Sequence, residues 1–208
     1  MRIFECYNKK MTDSLSTARL ILRRWRDSDR RPFADLNADR RVMEFMPAIL
    51  QREASDELMV RIELHFEKHK FGLFAAELRE TGSLIGFVGL SVPSFEAPFM
   101  PCVEIGWRLS AEHWGKGLAT EGAREVLGYA FETIGLREVV SFTVPANRRS
   151  CGVMEKIGMT RNPSDDFEHP RIPVGHALRQ HALYRLGRTE WLSKVPSSRL
   201  KLRSGPSR

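Results

Sequence analysis

Between Val103 and Glu121 a β-type segment, Val103-Glu104-Ile105-Gly106-Trp107-Arg108-Leu109, passes through Ser110–His113 into Trp114-Gly115-Lys116-Gly117-Leu118-Ala119-Thr120-Glu121, where a helical pattern begins. No other stretch restricts the fold as much. A strand that empties into a glycine-containing loop opening a helix leaves backbone N–H groups without intrahelical acceptors. The helix dipole points its positive end at the same loop. The result is an anion site made of main chain. Gly115 and Gly117 let a bulky phosphate approach the backbone closely, and the small Ala119 keeps the first helical turn clear. A turn and helix cap with incidental glycines fits the same letters, so the loop by itself leaves both readings open.

The flanking patterns place this unit in a larger sheet. Arg19 to Trp25 reads as a strand, and a helix follows from Ser28, with Asp27, Ser28 and Asp29 as caps and Pro32 in its first turn. Asp56 and Glu57 open a longer helix that runs to Lys68. Leu73–Leu78 and Leu84–Ser91 form a hairpin around Glu80-Thr81-Gly82-Ser83. Pro93, Pro98 and Pro101 mark a loop before the strand Cys102–Leu109. From Gly117 to Ile134, Ala119, Ala123, Val126, Leu127, Ala130 and Ile134 recur on one helical face. Glu138–Val144 is β-rich, Asn147 caps a helix over Arg148–Ile157 that Gly158 closes, and His181–Leu186 is a last strand. The order β-α-α-β-β-β-α-β-α-β describes a mixed α/β domain, not a regularly alternating parallel one.

Composition narrows the function classes. The 208 residues suit one domain, and 42% apolar with 28% charged residues is ordinary for a globular chain. No apolar run approaches the roughly 18–20 residues of a membrane helix, and no signal-like stretch follows Met1. Cys6, Cys102 and Cys151 are odd in number and widely spaced, which argues against a disulfide framework and a zinc module and makes the cytoplasm the expected compartment. His169, His176 and His181 lack the spacing of metal ligands, so no metal is expected. The net charge of +7 divides unevenly: residues 194–208 carry +5, residues 1–10 carry +2, and residues 11–193 balance to zero. The expected organisation is a flexible extension over 1–16, with Met11 an alternative start, a domain over 17–193, and a disordered basic tail over 194–208. Nucleic acid is not an expected partner, since only the tail offers phosphate contacts.

Three segments in order carry a resemblance: the loop Trp114-Gly115-Lys116-Gly117-Leu118-Ala119; Val144-Pro145-Ala146-Asn147-Arg148-Arg149-Ser150 followed by Met154-Glu155-Lys156-Ile157-Gly158-Met159; and the closing His181-Ala182-Leu183-Tyr184-Arg185-Leu186. Together they resemble the GNAT superfamily of acetyl-CoA-dependent N-acetyltransferases, in particular its RimJ/RimL-like branch, over about residues 17–193. The family's loop reads Gln/Arg-x-x-Gly-x-Gly/Ala. Trp114 departs from it at the first position, removing one polar contact and leaving the backbone contacts intact.

The resemblance implies a GNAT fold: a central mixed, mostly antiparallel sheet, splayed between its fourth and fifth strands, with flanking helices. Acetyl-CoA is the implied cosubstrate, wedged into the splay. The backbone of Trp107, Arg108 and Leu109 would pair with the pantetheine amides, meeting edge groups a splayed strand leaves open. N–H groups from Gly115 to Thr120, through Lys116, Gly117, Leu118 and Ala119, would hold the diphosphate. Asn147 would cap its helix and reach the pantetheine arm. The implied reaction is direct attack of an amine on the thioester through a tetrahedral oxyanion, driven by alignment and oxyanion stabilisation. Ser150 is the candidate proton donor to the sulfur, in place of the tyrosine many relatives use, which the helix Arg148–Ile157 lacks. Glu104 is the candidate base, with a structural pairing to Arg108 as its other reading. The loop Asp165-Asp166-Phe167-Glu168-His169-Pro170 would lie near the acceptor mouth, attract a cationic amine and offer His169 as an alternative base. The acceptor is a primary amine, either a protein N-terminus or a small molecule; a catalytically silent CoA-binding module is the alternative. Relatives of this kind are monomers or homodimers.

Overall fold

A computed structural model describes residues 12–194. Cys6, Met11 and the tail beyond Lys194 lie outside the described residues. The hairpin is found where its turn residues place it. β3 (Leu73–Leu78) and β4 (Leu84–Ser91) pair antiparallel, with Leu73 opposite Gly89. Before them, β1 (Ser14–Ser16) and β2 (Leu20–Arg23) form a smaller hairpin that continues the sheet onto β3. Residues 14–16, expected to be part of a flexible extension, are therefore a strand: Leu15 is buried, and its two serine neighbours are exposed.

Two helices lie between the hairpins. α1 (Arg30–Ala38) follows a 3₁₀ turn at Asp27–Asp29, and α2 runs over Arg52–His69. α2 starts earlier than its acidic pair implies and buries Ser55, Met59, Ile62 and Phe66, one face at helical spacing. Phe33 of α1 packs on Phe87 of β4, with ring centroids 6.2 Å apart. The next residue, Val88, points through the sheet to α3 (Leu118–Gly128), where a Cβ built on Gly122 would sit 3.2 Å from it. Helices thus cover both faces of β4, which explains why six consecutive residues of this strand are buried.

The expected helix over Gly117–Ile134 is α3 followed by a π-helical turn at Tyr129–Ile134. The turn closes with the Gly135 N–H donating to the Ala130 carbonyl, 3.0 Å, and Gly135 adopts φ +84°, a left-handed value that glycine takes without strain. β5 (Glu104–Leu109) pairs antiparallel with β4 along its length. β6 (Glu138–Thr143) runs parallel to β5 and antiparallel to β9 (Gln180–Gly187). Between them come α4 (Arg148–Lys156) and the two-residue strands β7 (Thr160–Arg161) and β8 (Phe167–Glu168), both paired with β9. A short α5 (Arg188–Lys194), not anticipated from the sequence, packs Trp191 on Phe131, ring centroids 5.5 Å apart.

The sheet is antiparallel except at β5–β6, and that junction is where it opens. β5 and β6 register at one pair, Glu104 with Val140. Because β1 adds a strand to the count, these are the expected fourth and fifth strands. The mixed, mostly antiparallel, splayed sheet with flanking helices is the architecture the sequence implied.

Candidate active site

Beyond Glu104 the edge of β5 that faces β6 has no strand beside it, so a cleft of about 550 Å³ opens between the two strands. Its walls are β5, the loop after it, the N-terminus of α3, β6, α4 and the segment 41–46 between α1 and α2. Trp107, Arg108, Leu109, Trp114, Gly115, Gly117, Leu118, Ala119, Thr120, Asn147 and Ser150 all line it. Lys116 does not, although its neighbours do.

The loop between β5 and α3 is held from three directions. Ala111–His113 form a 3₁₀ turn. The Trp114 indole N–H donates to the Leu109 carbonyl at 2.8 Å, and the Arg149 guanidinium lies 4.2 Å from the Trp114 ring centroid. Gly115 and Gly117 have φ +72° and +77°, values that favour glycine. Gly117 is the residue preceding α3, and no side chain caps that helix. The first N–H groups of α3 are therefore open to a ligand at the positive end of the helix dipole.

Arg19, between β1 and β2, does what the sequence reading missed. Its Nη1 donates to the Lys116 carbonyl at 2.8 Å, while Glu121 in the first turn of α3 accepts from Arg19 Nε at 2.7 Å, Arg19 N at 2.8 Å and the Thr17 hydroxyl at 2.6 Å. Glu121 stands within the quoted loop segment. Arg19 is a hundred residues away in sequence, and only the sheet order brings the two together.

Glu104, Gly106 and Arg108 alternate onto one face of β5, opposite Ser91, Gly89 and Phe87 of β4. The Ser91 hydroxyl donates to Glu104 Oε2 at 3.2 Å. Burial pushes the Glu104 carboxyl from an ordinary 4.5 up to about 7, and the Ser91 hydrogen bond offsets part of that rise. The structural pairing of Glu104 with Arg108 is absent. Four residues along a strand separate their Cα atoms by roughly 13 Å, and each side chain bonds to neutral groups. Arg108 Nη1 donates to Asn37 Oδ1 at 2.6 Å, Nη2 approaches the Met46 sulfur at 3.3 Å, and the guanidinium lies 5.3 Å from the Phe87 ring centroid. Burial holds Arg108 down to about 10. A Cβ on Gly106 would meet nothing within 4 Å, so the strand between the two charged residues presents a bare floor.

On the other wall, Asn147 Oδ1 accepts from the Ser150 N–H at 3.2 Å, capping α4, and its amide donates to the Thr143 hydroxyl at 3.2 Å. This fixes Ser150 in the first turn of α4. His169 is not among the residues lining the cleft: it packs against Phe95 at 4.6 Å and His181 at 5.1 Å, in a cluster with Phe167 and with Phe142, which does line the cleft. The acidic loop expected to attract a cationic amine has its carboxylates engaged. Asp165 pairs with Arg185 at 3.0 Å, Asp166 pairs with Arg161, and Glu168 pairs with Arg179 at 2.8 Å. Those carboxylates are neutralised by arginines the linear pattern could not assign to them. Among the described residues, no group of side chains could hold a metal ion, and no helix is long and apolar enough to cross a membrane.

The donor set suits an acyl-CoA thioester: a free strand edge for amides, a capless helix N-terminus for a diphosphate, and an enclosed carboxyl titrating near neutrality. Comparisons with known proteins agree. The family model described as "Acetyltransferase (GNAT) domain" matches residues 19–160. The uncharacterized N-acetyltransferase YnaD of Bacillus subtilis is 28% identical over 177 residues, covering 85% of this chain and 98% of that one. The FsC-acetyl coenzyme A-N(2)-transacetylase of Aspergillus fumigatus is 35% identical over 130 residues, 61% of this chain and 55% of that one. Among solved structures, a GNAT acetyltransferase from Bacillus anthracis superposes with a TM-score of 0.70 at 24% identity, covering 85% of this chain and 99% of that one. RimJ of Mycobacterium smegmatis, in complex with CoA-disulfide, gives 0.69 at 17% identity, covering 87% and 94%. With the splayed sheet, the capless loop and these matches together, the chain belongs to the GNAT acetyltransferase family and transfers acetyl groups from acetyl-CoA.

Proposed function

We propose that this enzyme acetylates a primary amine, a protein N-terminus or a small molecule, as a cytoplasmic member of the RimJ/RimL-like branch, with Glu104 as general base and Ser150 as proton donor to the leaving sulfur. The carrying observation is the Glu104 carboxyl. It faces the cleft, its side-chain hydrogen bond among the described residues comes from the Ser91 hydroxyl, and burial pushes its pKa up to about 7. A base poised there accepts a proton from an ammonium or from the attacking amine without being permanently protonated. The fold likeness to RimJ and to the ribosomal-protein-S5-alanine acetyltransferase of Vibrio fischeri supports the branch. The free, buried thiols of Cys102 and Cys151 accord with a reducing compartment.

In this reading, the Trp107–Leu109 backbone aligns the pantetheine arm, and the N–H groups from Gly115 to Thr120 neutralise the diphosphate. Lys116 adds a charge from the solvent side, and Asn147 reaches the arm from α4. Nitrogen attacks the acetyl carbonyl carbon, and its surplus proton passes to Glu104. The C–S bond breaks as Ser150 gives its hydroxyl proton to sulfur and recovers one from solvent. His169, outside the lining residues with its ring 6.3 Å from the lining Phe142, is given no role in this reading. The reading is tested by incubating the protein with acetyl-CoA and a panel of amines while following thiol release and acetylated product. Release with a primary amine, lost below pH 7 in the parent but not in Glu104→Gln, is expected. Thiol release without N-acetyl product overturns it.

A further inference from the structure

We infer that the acceptor amine carries a carboxylate, held by the Arg108 guanidinium at one end of the bare Gly106 floor while the amine faces Glu104 at the other. The inference deepens the N-acetyltransferase reading above and rests on it.

Arg108 is a cation in search of an anion. It is partly buried, faces the cleft, and its side-chain partners are the neutral Asn37 oxygen and Met46 sulfur. A guanidinium has five N–H donors, so these contacts leave donors unused. Asn37 is itself fully buried, and its amide donates to the buried Ser55 hydroxyl at 2.8 Å, which turns its oxygen toward Arg108. The relay Ser55–Asn37–Arg108 thus holds the guanidinium in place without cancelling its charge. Charge removed from water without a counter-ion is costly, and a fixed, desolvated guanidinium meets a carboxylate through two parallel hydrogen bonds.

Position supplies the second argument. Arg108 and Glu104 share one face of β5, and Gly106 between them leaves open space where any other residue would stand. The gap fits a short amino carboxylate lying along the strand. The third argument is the field. Among the described residues lining the cleft, Glu104 is the one acid; of the cations there, Arg41 pairs with Asp39 and Glu112 and Arg149 pairs with Glu44, which leaves Arg108, Arg148 and Lys156 outside any ion pair among the described residues. The acidic loop expected to draw in a cationic amine is paired with Arg161, Arg179 and Arg185. A net-positive cleft favours an anionic acceptor over a polyamine.

The same guanidinium chemistry could serve a phosphate of CoA, and the test separates the two sources. Matched acceptors, α- and ω-amino acids and dipeptides against their methyl esters and amides, are assayed with the full-length protein. The parent is expected to favour the free carboxylate by about 30-fold or more in kcat/KM, as sites built to pair a charged group reject its neutral analogue. Arg108→Gln should lower kcat/KM for the carboxylates by about 100-fold, leave the esters within about threefold, and leave KM for acetyl-CoA near the parent value. Arg108→Lys, which keeps the charge and loses the bidentate fork, should fall between. An acetyl-CoA-induced rise in melting temperature in each variant shows that it folds and binds cosubstrate. Equal use of acids and esters by the parent overturns the inference while leaving N-acetylation standing. So does a rise in KM for acetyl-CoA that accounts for the whole Arg108→Gln defect. Failure of every amine, esters included, overturns the N-acetyltransferase reading and this inference with it.

Discussion

Arg19 donates to the main-chain carbonyl of Lys116 at 2.8 Å and, with the same guanidinium, grips Glu121 at 2.7 Å, so one side chain from the β1–β2 turn sets the distance between the glycine loop and the helix it opens. The carbonyl is in the middle of the Gly115–Gly117 segment whose N–H groups are proposed to meet a diphosphate. Fixing that carbonyl outward orients the adjoining N–H groups. If the loop holds the diphosphate, it binds cosubstrate and transition state alike, and Arg19→Ala should raise KM for acetyl-CoA about tenfold and change kcat little. Its stability cost should stay at about 1 kcal/mol or less, because the Arg19 side chain is 49% exposed and an exposed ion pair contributes little. Steady-state kinetics beside a denaturant melt check both. A stability loss with unchanged KM would make the contact merely structural.

Gly117 precedes α3 at φ +77° with no side-chain cap. Gly117→Ala should cost about 1 kcal/mol from the left-handed backbone alone. Gly117→Asp adds a negative charge at the proposed diphosphate site and should weaken acetyl-CoA binding by about 100-fold beyond the alanine variant. Calorimetric titration compares the two at equal folded fraction.

Local chemistry made much of this legible. The hairpin from Leu73 to Ser91 was readable because Gly82 and its polar neighbours turn the chain between two apolar runs. The glycine loop was readable because each glycine answers a backbone need. β1 was not: Ser14-Leu15-Ser16 offers one apolar residue, and its pairing partner supplies the rest. Glu104 and Arg108 read as a possible pair because they stand close in sequence, whereas an extended strand carries the two apart. The acidic loop looked available since its partners Arg161, Arg179 and Arg185 are paired through folding. Ser91, Asn37 and Arg19 reach the site through sheet register and helix packing, for which single positions carry no signal.

Glu104 gives a pH dependence of known sign. Its folded pKa of about 7 stands above the ordinary 4.5, and a base works deprotonated, so kcat/KM in the parent should rise with pH through about 7 and level off above. Glu104→Gln should lose that limb and about 100-fold in rate. His169→Ala should keep it. Stability runs the other way. Because the folded state holds the proton more tightly, the parent loses stability as pH rises from about 4.5 to about 7. The melting temperature of Glu104→Gln, relative to the parent, should therefore climb across that window and stay level beyond it. A gap that does not vary with pH would mean Glu104 titrates normally and is not the base.

Ser150 bears on the other proton. Its N–H is held by Asn147 Oδ1 at 3.2 Å, so the residue serves the α4 cap through its backbone and leaves its hydroxyl for the cleft it lines. The two roles can be separated. Asn147→Ala removes the cap, costs about 1 kcal/mol of stability, and should raise KM for acetyl-CoA as the first turn of α4 loosens. Ser150→Ala keeps the cap and removes the hydroxyl. If that hydroxyl protonates the departing sulfur, kcat should fall about 100-fold with KM for acetyl-CoA unchanged, because the interaction exists only as the C–S bond breaks. An acetyl thioester with a more acidic leaving thiol needs no proton donor, so it should restore most of the rate to Ser150→Ala and little to Glu104→Gln. Equal rescue of both variants, or a Ser150→Ala defect confined to KM, would assign the proton to solvent and leave Ser150 as a contact for the pantetheine arm.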